Sequence, residues 1–272
     1  MKRTSLFKLA GLSALALLAT ASSQAQTIRI RGSDTLGAKL VPQLAEGFKK
    51  AGNGVSFDIA AEGSSTAFTN LASGSAEIGM SSRKVKEDER TFCKTKGVFL
   101  KEFEVAWDMM AVIVNKNNPV ANLTKKQVAG IFTGTIKDWS EVGGTPGPIS
   151  IYTRNTSSGT YKDWMTLAMK GKDYAASSQK MAGNEQIASE VAGNKGGIGY
   201  VGHAYIHAKG VKAISTDGLA PEGANLKSFP YSRPTFLYTN GEPTGKVKEF
   251  IDFCLSPAGV KITETVGFFP PK

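Results

Sequence analysis

Hydrophobic and polar positions follow a recognisable order around residues 149–168. A short β-prone run at 149–152 gives way to the polar loop RNTSSGT (154–160). From Tyr161 to Ala168, apolar residues recur at the spacing of an amphipathic helix. The pattern predicts a strand that passes through a polar loop into a helix.

The same order of strand, hydroxyl-rich loop and helix recurs three times in the N-terminal third of the chain. Alternating runs at 27–31 and 55–59 and a short run at 77–80 predict the strands, and Pro42 predicts that the first helix breaks before its main part begins near Leu40. In open α/β sheets, ligands bind at the carboxyl ends of the strands, where helix N-termini gather. The loops concerned are GSDT (32–35), EGSST (62–66) and SSR (81–83).

The loop at 154–160 has the chemistry of an oxyanion site. Arg154 offers a forked cation, Ser158 and Thr160 offer hydroxyl groups, and Gly159 allows a close approach of the backbone. The N–H groups at the start of the following helix favour an anion as well. The alternative is purely structural, since serine and threonine commonly cap helices.

The later segments continue an α/β pattern. The run VAWDMMAVIV (105–114) is nearly all apolar and predicts a buried strand, and strands are also predicted at 196–201 and 234–239. Two helices are predicted near the C-terminus, at 247–255 and up to Gly267. The sequence shows no internal repeat.

The first 25 residues have the pattern of a secretory signal peptide. A basic start is followed by an apolar run and by small residues at Ser23 and Ala25, which suit a cleavage site. The apolar run is too short to span a bilayer comfortably. We therefore expect residues 1–25 to be removed and the mature protein to be periplasmic.

The chain is basic, with 33 lysines and arginines against 23 acids. Without Lys2, Arg3 and Lys8 the ratio is 30 to 23, a net charge of +7. These charges are scattered, and no basic block or basic-aromatic repeat favours nucleic acid. The glycine spacing matches neither a dinucleotide fingerprint nor a phosphate loop of nucleotide-binding proteins.

Cysteines and histidines give little support to a metal site or an enzyme. Cys93 and Cys254 are the two cysteines, and the sequence leaves open whether they form a disulfide. His203 and His207 lack the further ligands that a zinc site needs. No GxSxG motif is present, so we expect no catalytic residue, no metal and no cofactor.

Taken together, the motifs resemble those of the periplasmic phosphate-binding proteins, the substrate-binding components of phosphate ABC importers. The resemblance covers essentially the whole mature chain. It implies an α/β, two-lobed type II periplasmic binding protein fold with two crossover hinge strands, near 105–114 and 203–212. One lobe would take 26–105 and 208–272, and the other 106–207. The motifs are GSDTL (32–36), EGSST (62–66), IGMSSR (78–83), IFTGTIKDWSEVGG (131–144), RNTSSGT (154–160), GGIGYVG (196–202), SRP (232–234) and SPAGVKITETVGFFP (256–270).

The resemblance also implies which residues hold the phosphate. It assigns binding to three loops, through hydroxyl groups, backbone N–H groups and one arginine, and the residues concerned are Thr35, Leu36, Ser64, Arg154, Ser158, Gly159 and Thr160. The best-known members have an aspartate in the third loop, where this chain has Ser82 followed by Arg83. Asp34, or less plausibly Glu62, is a candidate for the missing acceptor, and Arg83 either bonds the anion or pairs with Asp34.

The function implied is capture of inorganic phosphate between the lobes and its delivery to an inner-membrane phosphate ABC permease. We expect a monomer that is not an enzyme and has no nucleic-acid partner. Alternatives are the same fold with another oxyanion such as sulfate, a role in phosphate sensing, an exported enzyme acting on phosphate esters, and an adhesin-like interaction protein.

Overall fold

The computed structural model describes residues 26–271 as a mixed α/β protein with a curled sheet. The predicted signal peptide, residues 1–25, lies outside the described residues. No helix within 26–271 is long and apolar enough to cross a membrane. The strands are β1 (Gln26–Gly32), β2 (Val55–Ala60), β3 (Ile78–Ser81), β4 (Leu100–Asn115), β5 (Asn122–Leu123), β6 (Ser150–Arg154), β7 (Gln179–Met181), β8 (Gly197–Gly202), β9 (Val211–Ala213), β10 (Ser215–Thr216) and β11 (Ser232–Asn240). The α-helices are α1 (Asp34–Gly37), α2 (Leu40–Lys50), α3 (Ser64–Ala72), α4 (Glu87–Thr95), α5 (Lys125–Phe132), α6 (Gly159–Leu167), α7 (Asn184–Gly193), α8 (Gly245–Leu255) and α9 (Pro257–Val266).

The long strand β4 joins two halves of the sheet, whose strand order is β2-β1-β3-β11-β4-β8-β6-β7. Its residues 100–109 pair with β11, and 110–115 pair with β8 and β9. The side chains of Val105 and Ala106 pack in one hydrophobic cluster with β1 and α2, whereas those of Met109 and Met110 pack in another with Trp164. We call the two halves the first lobe (β1–β3, α1–α4, β11, α8 and α9) and the second lobe (β5–β10 and α5–α7).

The chain returns to the first lobe later than the predicted position at 203–212. Strand β9 pairs with residues 113–115 of β4 and so belongs to the second lobe. Phe229 and Tyr231 still pack in the Trp164 cluster, and Met110 N donates a hydrogen bond to Tyr231 O. The segment 208–231 therefore belongs to the second lobe because its apolar side chains cover that cluster, and the predicted boundary at 208 is wrong.

The predicted strand–loop–helix units are present in the structure. Proline breaks the first helix as expected, into α1 and an α2 that begins at Leu40. The buried run 105–114 lies within β4, which extends five residues further toward its N-terminus. Strands β7 and β9 have three residues each and carry no hydrophobic alternation long enough to be recognised.

Cys93 and Cys254 are free thiols in separate hydrophobic clusters. The Cys93 thiol donates weakly to Phe68 O at 3.5 Å, and Cys254 packs beside Phe250. Burial raises the pKa of both thiols, so each behaves as a small apolar side chain.

We expect thiol titration to find both cysteines reduced. In denaturant without reductant, both thiols of each chain should react with an aromatic disulfide reagent. In the native protein they should react slowly, because both are buried and protonated. A chain that shows thiols only after reduction would contradict the free state.

Candidate functional site

Four loops at the carboxyl ends of strands meet where the two lobes face each other. Three follow β1, β2 and β3 of the first lobe, and the fourth follows β6 of the second. Several of their polar side chains are almost completely buried, although serine, threonine and arginine usually remain exposed. Among those with 0–1% exposure are Thr35, Ser64, Ser82, Arg154, Ser158 and Thr160.

Arg154 is the cation of this cluster. Its Nε and Nη2 donate to Ala182 O at 3.2 and 2.9 Å, and its Nη1 lies 3.1 Å from Asp34 Oδ2. Burial lowers the pKa of Arg154, and the charge of Asp34 opposes this effect. Among residues 26–271, Nη1 finds no hydrogen-bond acceptor of suitable geometry. A buried cationic donor thus lies beside the Asp34 carboxylate and retains capacity for a further acceptor.

Asp34 connects the lobes through a single carboxylate oxygen. Besides Arg154, its Oδ2 accepts hydrogen bonds from Asn184 N at 3.0 Å and Asn184 Nδ2 at 2.7 Å. Asn184 is the first residue of α7 and its own Oδ1 accepts from Gly202 N. The ion pair with Arg154 and both hydrogen bonds from Asn184 come from the second lobe, so this carboxylate links the lobes and orients the arginine.

The hydroxyls form two close pairs that meet at Gly159. Thr35 Oγ1 and Thr160 Oγ1 are 2.9 Å apart across the lobes, and Ser64 Oγ and Ser82 Oγ are 3.2 Å apart within the first lobe. A Cβ atom added at Gly159 would lie 2.3 Å from Ser64 Oγ and 2.7 Å from Ser82 Oγ. Glycine is therefore required where α6 begins, because any side chain there would push the lobes apart.

The N-terminus of α6 adds backbone donors to the same place. Ser158 caps this helix by accepting from Tyr161 N at 3.2 Å, so its capping role is structural. Gly159 and Thr160 are the first two residues of α6, and their N–H groups have no acceptor within the helix. Leu36 buries its side chain in the first-lobe core, so only its backbone can reach the cluster.

Arg83 and Glu62 are not brought into this cluster. The Arg83 guanidinium forms a two-pronged bond with Glu89, with Nη1 and Nη2 at 2.8 and 2.5 Å from its carboxylate oxygens. Its Nη2 also donates to Ser65 Oγ. The predicted pairing of Arg83 with Asp34 is therefore wrong, because Glu89 on α4 is nearer. Glu62 is exposed and offers no buried carboxylate.

A second ionic cluster, which sequence reasoning missed, lies beside the hydroxyls. Arg233 on β11 contacts Asp108 on β4, Asp163 on α6 and the hydroxyl of Thr160. The signals were weak but present: Arg233 belongs to the quoted motif SRP, and Asp108 is the one acid within the apolar run 105–114. No comparable sequence signal marks Asn184.

Contacts at the rim of the cleft also cross between the lobes. Ser65 N donates to Ser157 O at 3.1 Å, and Ser157 Oγ donates to Glu62 O at 2.9 Å. On another side, Tyr205 OH lies 3.4 Å from Thr35 O, and Lys39 Nζ donates to Ala204 O. The structure therefore has the lobes in a closed arrangement.

The two histidines are not part of this site. His203 Nδ1 lies 2.8 Å from Gly267 O and has a structural contact, whereas His207 is exposed. Among the described residues there is no group of three or more histidine, cysteine, aspartate or glutamate side chains arranged to hold a metal ion.

Comparisons with known proteins agree with this geometry. The model of the PBP-like family, a PBP superfamily domain, matches residues 19–258. The phosphate-binding protein PstS of Bacillus subtilis is 32% identical over 247 residues, covering 90% of this chain and 80% of the relative. The PstS of Pseudomonas aeruginosa is 32% identical over 263 residues, covering 88% and 81%.

A solved structure adds a three-dimensional match. It is the crystal structure of a putative phosphate ABC transporter substrate-binding protein from Clostridium perfringens with bound phosphate. It has a TM-score of 0.84 and 35% identity, with coverage of 91% of this chain and 100% of that one. The fold and the cleft define a two-lobed solute-binding protein. The chain belongs to the PBP superfamily and, within it, to the family of the phosphate-binding proteins PstS.

Removing the Asp34 carboxylate should destabilise the protein strongly. Asp34→Ala leaves the Arg154 charge buried without its counter-ion, and breaking a buried pair in this way costs about 3 kcal/mol of unfolding free energy. The measurement is urea unfolding without added anions. The matched control is Asp58→Ala, which removes a 52% exposed partner of Arg31 and should have little effect. Equal effects of the two substitutions would contradict a stabilising role of the Asp34–Arg154 pair.

Proposed function

We propose that this protein captures inorganic phosphate between its two lobes and delivers it to an ABC permease. The observation that carries the proposal is the buried Arg154, whose Nη1 lies 3.1 Å from Asp34 Oδ2 and has no hydrogen-bond acceptor of suitable geometry among the described residues. A tetrahedral oxyanion suits such a site, since each of its oxygens accepts hydrogen bonds from several directions. The names of the PstS relatives, and the phosphate in the Clostridium structure, support phosphate as the ligand.

Each lobe would supply part of the phosphate shell. From the first lobe we assign Thr35 through its hydroxyl, Leu36 through its backbone N–H, and Ser64 and Ser82 through their hydroxyls. From the second lobe we assign Arg154, with Ser158, Gly159 and Thr160 around the start of α6. Support comes from their burial and from the short distances between Thr35 and Thr160 and between Ser64 and Ser82.

Asp34 would act on phosphate indirectly. Its Oδ2 is engaged by Arg154 and by both Asn184 donors, so this oxygen orients the arginine. We assign the acceptor for a protonated phosphate oxygen to a hydroxyl, and Ser82, which lies beside Ser64 and close to Gly159, is the candidate. A hydroxyl rotates to donate or to accept, unlike a carboxylate.

Lobe closure would exclude water from the bound anion. The rim contacts from Ser157 to Glu62 and Ser65 exist only when the lobes are close, and they cover one side of the cluster. Hinge closure around a ligand is the usual motion of two-lobed binding proteins. Here the hinge would lie where β4 and the segment before β11 pass between the lobes.

We further propose the cellular setting. The chain would be exported through cleavage of the predicted signal peptide, work in the periplasm as a monomer without cofactor or metal, and interact with an inner-membrane phosphate permease. It would carry out no catalysis, because the proposed site consists of anion-binding donors and family members are named as binding proteins.

Calorimetry on phosphate-free protein tests the ligand. We expect tight binding of phosphate on both sides of its second pKa and measurable competition by excess sulfate. A rotating serine hydroxyl is not left unpaired by sulfate, so selectivity should fall well below the roughly 10⁴-fold that an unpaired buried group provides. Heat from neither anion would overturn the phosphate assignment. Complete indifference to sulfate would contradict the role given to Ser82.

Gly159→Ala tests closure around the anion. The added methyl group would meet Ser64 Oγ at 2.3 Å, so the lobes could not close fully. Phosphate affinity should fall at least roughly a hundredfold, about 2.8 kcal/mol, with the unfolding midpoint little changed. Gly193→Ala is the control, because that glycine also lies at a helix end and its added Cβ meets nothing within 4 Å. Undiminished affinity in Gly159→Ala would contradict the proposed site.

A further inference from the structure

Arg233 is a buried arginine that lies beside the proposed phosphate site and bonds three different side chains. Its Nε and Nη2 donate to Asp108 Oδ2 at 3.3 and 3.0 Å, and its Nη1 donates to Asp163 Oδ2 at 3.1 Å. Its Nη2 also donates to Thr160 Oγ1 at 2.9 Å. Arg233 is only 3% exposed, and its bonds to Asp108 and Thr160 are buried, whereas the Asp163 side chain is 22% exposed.

Two of the elements that meet at Arg233 are the strands that pass between the lobes. Arg233 stands directly opposite Asp108 in the antiparallel pairing of β11 with β4. One residue further along, Met109 pairs with Ser232 of β11, and Met110 already pairs with Gly202 of the second lobe. Asp108 also accepts from His203 N at 3.0 Å. Arg233 and Asp108 therefore mark the point where the sheet changes lobes.

The third element is α6, the helix whose N-terminus faces the cleft. Thr160 and Asp163 lie on α6 three residues apart and so on the same side of the helix. Through these two contacts a residue of the first lobe holds the helix that would bind the anion. A change in the angle between the lobes would have to stretch or break them.

The bond from Arg233 also determines what the Thr160 hydroxyl can do. An arginine only donates, so Thr160 Oγ1 must be the acceptor in this bond. Its one hydrogen is then available to Thr35 Oγ1 or to an anion in the cleft. Because the bond is charge-assisted, it polarises the hydroxyl and strengthens it as a donor.

We propose that Arg233 is a positioning residue for anion binding: it holds the Thr160 hydroxyl as a donor and links α6 to the hinge strands. The inference rests on the proposed phosphate function and adds a residue outside the ligand shell. A purely structural role is the alternative, since the cluster of Arg233, Asp108 and Asp163 would stabilise the fold even if it had no effect on the ligand.

A double-mutant cycle separates these roles. Phosphate dissociation constants are measured by calorimetry for the wild type, Arg233→Lys, Thr160→Val and the double variant, with unfolding midpoints measured without ligand. Lysine keeps the charge but cannot bond Asp108, Asp163 and Thr160 together. We expect Arg233→Lys to weaken phosphate binding at least roughly tenfold in the wild-type background and less than about threefold in the Thr160→Val background.

Equal losses in both backgrounds would overturn the proposal, as would unchanged affinity in a folded Arg233→Lys variant. Arg29→Lys is the control, because Arg29 also makes a forked bond, with Glu77, on the far part of β1. If Arg233→Lys does not fold, the pair Arg233→Gln with Asp108→Asn, which removes the arginine together with its fully buried counter-ion, replaces it in the same cycle. Failure of the wild type itself to bind phosphate would instead reject the proposed function, so the two failures are distinguishable.

Discussion

The burial of the Arg154 guanidinium is the constraint on which the cleft depends. An arginine with 1% exposure cannot shed its charge, so it needs oriented oxygen partners. Among the described residues the second lobe supplies the carbonyl of Ala182 as its acceptor, and the counter-ion Asp34 belongs to the first lobe. The arginine therefore has its counter-ion only when the lobes are together. Closure of the lobes therefore depends on the pairing of Arg154 with Asp34 as well as on the hinge.

The sheet explains how residues so distant in sequence meet. Because the loops after β1, β3 and β6 lie at carboxyl ends of strands, and β4 continues through both halves of the sheet, these loops face each other across one cleft. The same long strand carries Asp108, so the hinge and the second ionic cluster coincide. Fold and site thus depend on one strand.

The units of the fold could be predicted from sequence because each has a local signal. Alternation predicted β1 and β2, and Pro42 predicted the break between α1 and α2. The anion site around Arg154 stays a prediction, and it rests on side-chain chemistry that lies in one loop. The partners of charged side chains could not be predicted in the same way. An ion pair of Asp34 with Arg83 was one prediction, yet Asp34 contacts Asn184 and Arg154 from the other lobe. The position at which the chain returns to the first lobe, after Tyr231, could not be predicted, because β9 in the preceding segment is too short to show a hydrophobic pattern.

The buried ion pairs around the cleft contain more aspartates than arginines. They comprise two arginines, 154 and 233, against three aspartates, 34, 108 and 163. Burial raises the pKa of Asp163, and Arg233 opposes this effect while the charge of Asp108 adds to it. An anion entering here would gain little from net charge and most from oriented donors, namely the Arg154 fork, the hydroxyls and the N–H groups of α6. The excess of lysine and arginine over the whole chain is therefore a poor guide to the site, whereas the geometry of a few loops is a good one.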